Sequence, residues 1–280
     1  MLIWLVLIPL IAAALIGLCK APARPTALLS ASLTLALGIW ALVSFDGCSS
    51  CWSRFEGMDL QLTLAPALSK VMLLLTILVT FATVLGTNPP QGGEASWYNS
   101  ALLISAGATG AFLSDNIISF FAFHELALIP TFVMIGLYGR GDRRTTAWRA
   151  TLYLGLASMV LLAALLMIGT QAGFTFSGLK DFMASGRELA HAELIGALLI
   201  AGFGTLISLF PFHSWAAPAY ASAPAPVAMM HAGVLKKFGL YGLFMFQPLM
   251  ETGFLPWTNI LLVLLVCNVI WVGYVTVNQK

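Results

Sequence analysis

The sequence predicts an all-α, polytopic membrane protein with about eight transmembrane helices, one of them broken. Three observations lead to this prediction. Apolar residues make up 60% of the 280 residues and charged residues only 9%, whereas a soluble globular domain carries about 25% charged residues. The apolar residues occur in runs of roughly 20, the length that crosses the hydrocarbon core of a bilayer. These runs are continuous rather than alternating, which argues against a transmembrane β-barrel.

Eight stretches are long and apolar enough to be predicted as spans. They are residues 2–18, 27–45, 66–86, 97–114, 116–138, 148–170, 193–246 and 256–277. The first has no basic n-region and no small-residue cleavage site, so we interpret it as a retained helix and not as a signal peptide. The net charge of +2 and the absence of glycine-rich phosphate loops give no indication of nucleic-acid or nucleotide binding.

The basic residues of the loops divide into two groups. One side of the membrane is predicted to carry Lys20, Arg24, Arg140, Arg143, Arg144 and Arg149, and the other Arg54, Lys180, Arg187 and Lys280. Cytoplasmic loops carry an excess of Lys and Arg, so the first group is predicted to face the cytoplasm. An even number of spans then places both termini on the outer side of a bacterial-type inner membrane.

Residues 193–246 form an apolar run that is too long for one ordinary helix. Its middle, PFHSWAAPAYASAPAP, contains four prolines, which remove backbone donors and interrupt helices. We predict one interrupted span with two half-helices, 193–210 and 224–246, joined by an extended segment at membrane depth. Irregular backbone is tolerated there when it is buried in protein or lines a wet cavity, and broken helices mark ion pathways in transporters. The alternative is a loop at the membrane surface flanked by two short interfacial helices.

Glu125 and the consecutive Lys236 and Lys237 are predicted to lie inside the membrane. A charge at the bilayer centre costs at least about 2.5–3.5 kcal/mol, so such residues are functional candidates by default. Glu125 is predicted to transfer protons or couple charge; the alternative is a structural carboxylate held by one hydrogen bond. The two lysines point about 100° apart on a helix, so we expect at most one of them, either Lys236 or Lys237, to be the principal lysine of the pathway.

Three histidines are candidate relay groups because imidazole changes its charge near neutral pH. His213 and His231 flank the proline-rich break, and His124 adjoins Glu125. The alternative for His213 is a ring satisfied by backbone groups at the helix break. His124 is expected to face away from Glu125, since consecutive helical side chains diverge by about 100°. Lys70, near the outer end of its span, is explained by a side chain that reaches the membrane surface.

The sequence predicts neither a haem nor a metal site. Four scattered histidines give no pair of facing axial ligands. Cys48 and Cys51 form a C-x-x-C in the predicted outer loop 46–65, without the further ligands that a zinc site needs; a disulfide or two free thiols are expected there. Cys19 and Cys267 lie in apolar helices and are interpreted as small core residues.

Two segments resemble a known family. SFFAFHELALIPTFVMIGLYG resembles the fifth helix of the antiporter-like subunits of respiratory complex I, with its aromatic run, glutamate and proline. PFHSWAAPAYASAPAPVAMMHAGVLKKFGLYGLF resembles the broken seventh helix of the same subunits, which leads into a helix with a key lysine. The similarity is strongest to subunit M (chain 4) of NADH–quinone oxidoreductase, and the same core occurs in Mrp-type antiporters and membrane-bound hydrogenases.

The resemblance implies one five-helix repeat at residues 97–280 around a proton half-channel, preceded by N-terminal helices at residues 1–96. The second repeat of the family is absent from this sequence; a split gene, a separate chain that supplies the second half and a truncated chain are the alternatives that would explain this. By position, Glu125 matches the glutamate of the fifth helix and Lys237 the lysine of the seventh, while Leu206 stands where a further lysine is common. The resemblance places flavin, iron–sulfur clusters and quinone on partner subunits, so no cofactor is expected on this chain.

The expected function is proton translocation as a subunit of an NADH–quinone oxidoreductase-type complex, driven by redox chemistry on other subunits. In this hypothesis Glu125 stabilises protonated Lys237 when the two are close. A unit charge pair about 4 Å apart interacts by roughly 4 kcal/mol at an effective dielectric of about 20. The alternatives are a subunit of an Mrp-type Na⁺/H⁺ antiporter or membrane-bound hydrogenase, and a structural subunit with a vestigial channel.

Overall fold

The computed structural model describes residues 1–44, 49–55, 58–89, 92–250 and 257–278, and of residues 49–60 and 250 it describes no side chain. The described chain is almost entirely helical, which confirms the predicted fold class. Its helices are α1 Ile3–Gly17, α2 Ala23–Ser44, α3 Ala67–Gly86, α4 Glu94–Leu113, α5 Ile117–Tyr138, α6 Arg143–Ala172, α7 Phe176–Ala184, α8 Ala192–Ile207, α9 Ala216–Ser222, α10 Ala225–Met230, α11 Lys236–Met250 and α12 Trp257–Val277. A π-helical turn, His231–Leu235, joins α10 to α11 without interruption.

Several of these helices match the dimensions of a bilayer. Within the described residues, five are long and apolar enough to cross a membrane alone, namely α2, α3, α5, α6 and α12, while α1 and α8 are shorter apolar helices. The protein is therefore a multi-pass membrane protein. Its longest helix, α6, has 30 residues, or about 45 Å at 1.5 Å per residue, which equals the thickness of a bilayer with its headgroups.

Helix α4 lies at the centre of the fold, buried from Trp97 almost continuously to Leu113. It contacts α1, α3 and α5, and its small residues allow this close approach. A Cβ on Gly107 would lie 2.6 Å from the carbonyl oxygen of Phe123 and 2.7 Å from the backbone nitrogen of Ala127, both on α5. Small residues at such contacts are typical of helix packing in membranes.

The predicted outer loop 46–65 contains a short β-hairpin, which the sequence analysis did not anticipate. Strands β1 Ser49–Phe55 and β2 Met58–Thr63 pair antiparallel, and Leu62 of β2 bridges to Ser114 after α4. The hairpin thus caps the end of the bundle where α4 stops. The expectation for Cys48 and Cys51 falls outside the described side chains.

Residues 192–250 fold differently from the prediction. The segment 193–246, predicted as one interrupted span, forms a helical hairpin that crosses the membrane twice. The broken helix α8–α9 makes the first crossing, and α10 and α11 make the second crossing in the opposite direction. Along the hairpin, Gly239 contacts Ile207 and Gly242 contacts Phe203, so α8 and α11 run antiparallel. The prediction was wrong because the turn between the two crossings contains no charged residue, and hydropathy therefore showed no boundary.

The additional crossing changes the relation of the two ends of the chain. The end of α1 lies beside the start of α4, where Gly17 contacts Asn99, and Trp257 of α12 contacts Gly196 near the start of α8. Helix α12 therefore runs from the side of the membrane where the β-hairpin lies toward the side of the arginine cluster Arg140–Arg149. The start of α1 and the end of α12 lie on opposite sides, in contrast to the prediction that both termini share one side.

Candidate functional site

The broken crossing is held together at membrane depth by a backbone reversal. Helix α8 ends where Ser208 adopts a left-handed conformation (φ 61°), and the backbone nitrogen of Leu209 donates to the carbonyl of Gly204 at 2.7 Å. The indole Nε1 of Trp215 donates to the carbonyl of Thr205 at 3.0 Å. The open end of α8 is thus partly satisfied by the segment that follows it, which meets the requirement for irregular backbone in a bilayer.

Lys236 lies inside this broken segment. Its ammonium nitrogen Nζ is 4.8 Å from the ring centroid of Tyr220 and 5.7 Å from that of Trp215. The Tyr220 hydroxyl lies 2.9 Å from Nδ1 of His231, whose ring is also packed edge-on against both aromatic rings. We call Lys236, Tyr220, Trp215 and His231 the lysine cluster. Aromatic faces stabilise a cation that has left water, so the cluster can hold an ammonium without a carboxylate.

The lysine cluster is positioned by the π-helical turn His231–Leu235. This turn begins at His231 and ends directly before Lys236, so both cluster members on the returning crossing are placed by it. Single π-helical turns within α-helices occur frequently at functional sites, because they rotate the following residues relative to the helix before them. His231 is 5% exposed, and the neighbouring lysine is half-buried.

Glu125 lies near the middle of α5, which is capped at its start by Asn116 accepting from the backbone nitrogens of Ile118 and Ser119. Its side chain is 28% exposed, and its Oε1 is 3.2 Å from Nδ1 of His124. The expectation that His124 faces away from Glu125 is therefore wrong, because the long carboxylate side chain folds back along the helix toward the ring.

The hydroxyl of Ser158 on α6 also lies beside the Glu125 carboxylate. Ser158 is fully buried, and its hydroxyl makes no hydrogen bond of regular geometry with a protein group in the described part of the chain. The carboxylate is thus placed between α5 and α6, with a hydroxyl on one side and an imidazole on the other. Such a group can accept a hydrogen bond from the hydroxyl and exchange a proton with the imidazole.

Lys237 points in a different direction from Lys236. It lies one turn from Gly233, which faces Val79 of α3, and one turn from Tyr241, whose hydroxyl is 3.0 Å from that of Ser69 on α3. This places Lys237 on the α3 side of the returning crossing. No hydrogen bond or ion pair joins its ammonium to another residue in the described part of the chain.

The two predicted charge carriers do not form an ion pair in this conformation. Among the described residues, the near polar neighbours of the Glu125 carboxylate are His124 and Ser158, and neither is a lysine. A contact between side chains nevertheless joins the surroundings of Glu125 to the helix that carries Lys237. The ring centroids of His124 and Phe238 are 5.1 Å apart, and Phe238 directly follows Lys237. His124, which is 1% exposed, therefore lies between the carboxylate and the lysine-bearing helix.

His213 lies apart from the lysine cluster. Its ring stacks on that of Phe210, with the ring centroids 5.6 Å apart, and packs edge-on against the ring of Trp271 of α12, with the centroids 6.2 Å apart. His213 thus belongs to the contact between the break and the last helix. Lys70 lies half-buried near the start of α3, in agreement with its predicted position at the end of a span.

Sequence reasoning missed Tyr220, Trp215 and Ser158. Tyr220 could have been recognised as a candidate from the sequence, because it is the single hydroxylated ring within a run of alanine, serine and proline. Trp215 and Ser158 could not, because their roles depend on contacts between helices far apart in sequence. The buried hydroxyls of Thr80, Thr83 and Thr109 on α3 and α4 also make no hydrogen bond to a protein group within the ranges that the structure describes. For metals, no group of three or more His, Cys, Asp or Glu side chains comes together in the described residues.

The fold and the site define a class of protein: a polytopic helical membrane protein with a broken helix and with a lysine and a glutamate within its helices. Residues 114–280 match the family model described as NADH:quinone oxidoreductase/Mrp antiporter, TM. The chain belongs to this family.

Curated relatives point to one branch of it. A Microcystis aeruginosa protein named NAD(P)H-quinone oxidoreductase chain 4 is 31% identical over 220 residues, which are 76% of this chain and 39% of that protein. A Picosynechococcus protein of the same name is 30% identical over 227 residues, 79% of this chain and 41% of that protein. The chain thus spans about two fifths of the length of these relatives.

Solved structures share the fold. A chain of respiratory complex I from Thermus thermophilus superposes with a TM-score of 0.77 at 26% identity, over 89% of this chain and 53% of that chain. A chain of an archaeal membrane-bound sulfane sulfur reductase gives 0.74 at 26% identity, over 88% and 40%. A chain of the Mrp complex from a Dietzia species gives 0.77 at 23% identity, over 92% and 29%, which shows a common fold.

Proposed function

We propose that the chain is a proton-translocating membrane subunit of an NADH–quinone oxidoreductase-type complex. The observation that carries the proposal is the lysine cluster: an ammonium at a helix break, held by two aromatic rings, next to a tyrosine–histidine pair. Flavin, iron–sulfur clusters and quinone belong to other subunits in this proposal, and this chain supplies groups that bind and release protons. The complex lies in the inner, or cell, membrane.

Because residues 192–250 supply two crossings, the five crossings of the proposed repeat are α4, α5, α6, the broken α8–α9, and α10–α11, so the repeat ends before α12 and not at residue 280 as predicted. The domain boundary near residue 97 is supported by the position of α4, which is the first of these crossings. Helix α12 follows the repeat and is largely exposed along its length, apart from Trp257 at its start. This exposed helix is a surface on which a further membrane-embedded element can pack, and a second repeat is the proposed occupant.

Protons enter the proposed route from the side of the arginine cluster, which we assign to the cytoplasm. There Ser222 at the end of α9 exchanges two hydrogen bonds with Arg140, at 2.7 and 2.8 Å, so α9 leads from this side to the lysine cluster. Tyr220 and His231 pass the proton to Lys236. With the arginine cluster inside, the start of α1 lies outside and the end of α12 inside.

Glu125 and Lys237 act at the next stage of the proposal. Lys237 carries a second positive charge directly beside Lys236, and like charges this close repel each other. A proton that arrives at one lysine therefore favours release from the other. His124 lies between this pair and Glu125, and a change of spacing between α5 and α11 would alter how strongly the carboxylate stabilises the ammonium.

The proposal is tested by proton uptake into proteoliposomes that contain the intact complex, energised by its electron donor. Lys236→Met should lower the number of protons moved per electron, whereas Lys180→Met, at an exposed position on α7, should leave it unchanged. An unchanged ratio in both variants would assign the chain a structural role.

A second candidate function is a subunit of an Mrp-type Na⁺/H⁺ antiporter, which the description of the family model matched by residues 114–280 also includes. The two functions differ in their driving force. Proton movement that follows a sodium gradient, in the absence of any electron donor, would establish the antiporter.

A further inference from the structure

A lipid-facing groove runs between α6 and α8, outside the proposed proton route. It has a volume of about 320 Å³ and is lined mainly by apolar side chains, among them Leu152, Leu156 and Val160 of α6 and Ala201 of α8. Leu152 and Leu156 are 59% and 68% exposed. The groove therefore opens sideways into the bilayer, and its surface suits a hydrocarbon chain.

One end of this groove carries polar groups. The hydroxyl of Ser214, in the broken segment, donates to the hydroxyl of Tyr153 at 2.9 Å. The Arg149 guanidinium, one turn along α6, lies beside the same tyrosine hydroxyl. Arg149 is exposed, and no carboxylate in the described part of the chain forms an ion pair with it. Its charge is thus available to an anion from outside the protein.

The depth of these groups matches the dimensions of a phospholipid. Arg149 lies six residues after the start of α6, or about 9 Å along the axis, and Val160 lies about 16 Å further in. Since α6 spans the bilayer together with its headgroups, the backbone of Arg149 lies near the boundary between headgroups and acyl chains, from which its long side chain reaches headgroup level, and the groove lies at acyl-chain level. The neighbouring Trp148 is 60% exposed, as is typical of an aromatic side chain at the membrane interface.

We propose that this groove binds an anionic phospholipid, with the phosphate at Arg149 and Tyr153 and one acyl chain along Leu152, Leu156 and Val160. The positive charge at this end of the groove favours an anionic over a zwitterionic phospholipid. Arg140, Arg143 and Arg144 lie at the same end of the bundle, and basic clusters next to transmembrane helices recruit anionic lipids. Because Tyr153 also holds Ser214, the bound lipid contacts the residue that anchors the broken segment.

Photo-crosslinking of the purified complex tests the site. The complex is depleted of lipid and supplied with phosphatidylglycerol or phosphatidylcholine that carries a photoreactive group in mid-chain, and labelled peptides are identified by mass spectrometry. Phosphatidylglycerol should label the peptide around Leu156. Arg149→Gln should weaken this labelling about fivefold, which is the change in affinity that corresponds to the contribution of one basic residue near the membrane surface. Lys180→Gln, at an exposed position on α7 beyond the opposite end of α6, also removes one positive charge and should leave labelling unchanged.

A second variant tests the groove without touching charge. Ala201→Leu fills it from the α8 side and should reduce labelling by both lipids. Equal labelling by the two lipids, an unchanged signal in Arg149→Gln, or no label at Leu156 because another subunit covers the groove would each overturn the proposal. None of these outcomes depends on proton translocation, so the two proposals fail separately.

Discussion

The hydroxyl of Tyr220 lies 2.9 Å from Nδ1 of His231, across the turn that connects the two crossings of the 192–250 hairpin. This hydrogen bond joins α9 to the π-helical turn and holds the Tyr220 ring against the ammonium of Lys236. One site thereby combines a break in a membrane helix, a tyrosine–histidine pair and a half-buried cation.

Replacement of Tyr220 by Phe should slow proton translocation while the fold is kept. The ring that faces Lys236 remains, but the hydroxyl that bonds to His231 is lost, and removing a positioned proton-transfer group slows transfer by at least about tenfold. Proton uptake into proteoliposomes measures the effect. Tyr274→Phe on exposed α12 is the control and should behave as the wild type; equal rates for both variants would exclude Tyr220 from the route.

Glu125→Gln should lower proton translocation with little loss of stability. The carboxylate is 28% exposed, so removal of its charge leaves no buried cation without a partner, yet the group beside His124 that can take up a proton is lost. The measurement is the ratio of protons to electrons, together with the yield of assembled complex. Glu188→Gln, at an exposed position before α8, is the matched control. If Glu125→Gln pumped normally, the carboxylate would be structural.

Tyr241→Phe should reduce the stability of the contact between α3 and α11. Its hydroxyl bonds to that of Ser69 at 3.0 Å and to the carbonyl of Phe112 at 3.4 Å. A hydrogen bond between membrane helices contributes about 0.6 kcal/mol, and at most about 1.7 kcal/mol. Thermal unfolding in detergent should show a small decrease for Tyr241→Phe and for Ser69→Ala, with no further decrease in the double variant. Additive losses would contradict a shared bond.

Gly107→Ala should destabilise the pairing of α4 with α5. The added Cβ would lie under 3.0 Å from two backbone atoms of α5, so the helices must separate, at a cost of about 1–3 kcal/mol. Gly155→Ala on α6 is the control, because nothing lies within 4 Å of a Cβ there. The unfolding temperature of Gly107→Ala should be lower than that of Gly155→Ala. Equal unfolding temperatures would show that α4 and α5 are not in tight contact at Gly107.

Much of the fold follows from hydropathy alone, since runs of about 20 apolar residues have few alternatives in a bilayer. The helix break was predicted because proline at 211, 218, 224 and 226 cannot continue a hydrogen-bonded helix. The double crossing was not, because the turn near Pro224 is satisfied by contacts with Arg140 and not by charged residues of its own. The hairpin Ser49–Thr63 was missed for a related reason: its pairing depends on a neighbouring helix end.

The site was predictable in part. Lys236, Lys237, His231 and Glu125 stood out because charged or titratable residues are costly inside a membrane. Which lysine enters the break depends on the π-helical turn before it, and no pattern in HAGVLKK indicates an i→i+5 hydrogen bond. The contact between Glu125 and His124 depends on side-chain conformation, which helical spacing does not determine.

The most direct test of the central claim is the number of protons moved per electron by the Lys236→Arg variant of the intact complex. Arginine keeps the positive charge and its contact with the aromatic rings but does not release its proton in proteins. We expect Lys236→Arg to lower this ratio as far as Lys236→Met does, because Lys236 must give up a proton. A normal ratio in Lys236→Arg with a low ratio in Lys236→Met would show that only the charge matters and would exclude proton release by Lys236.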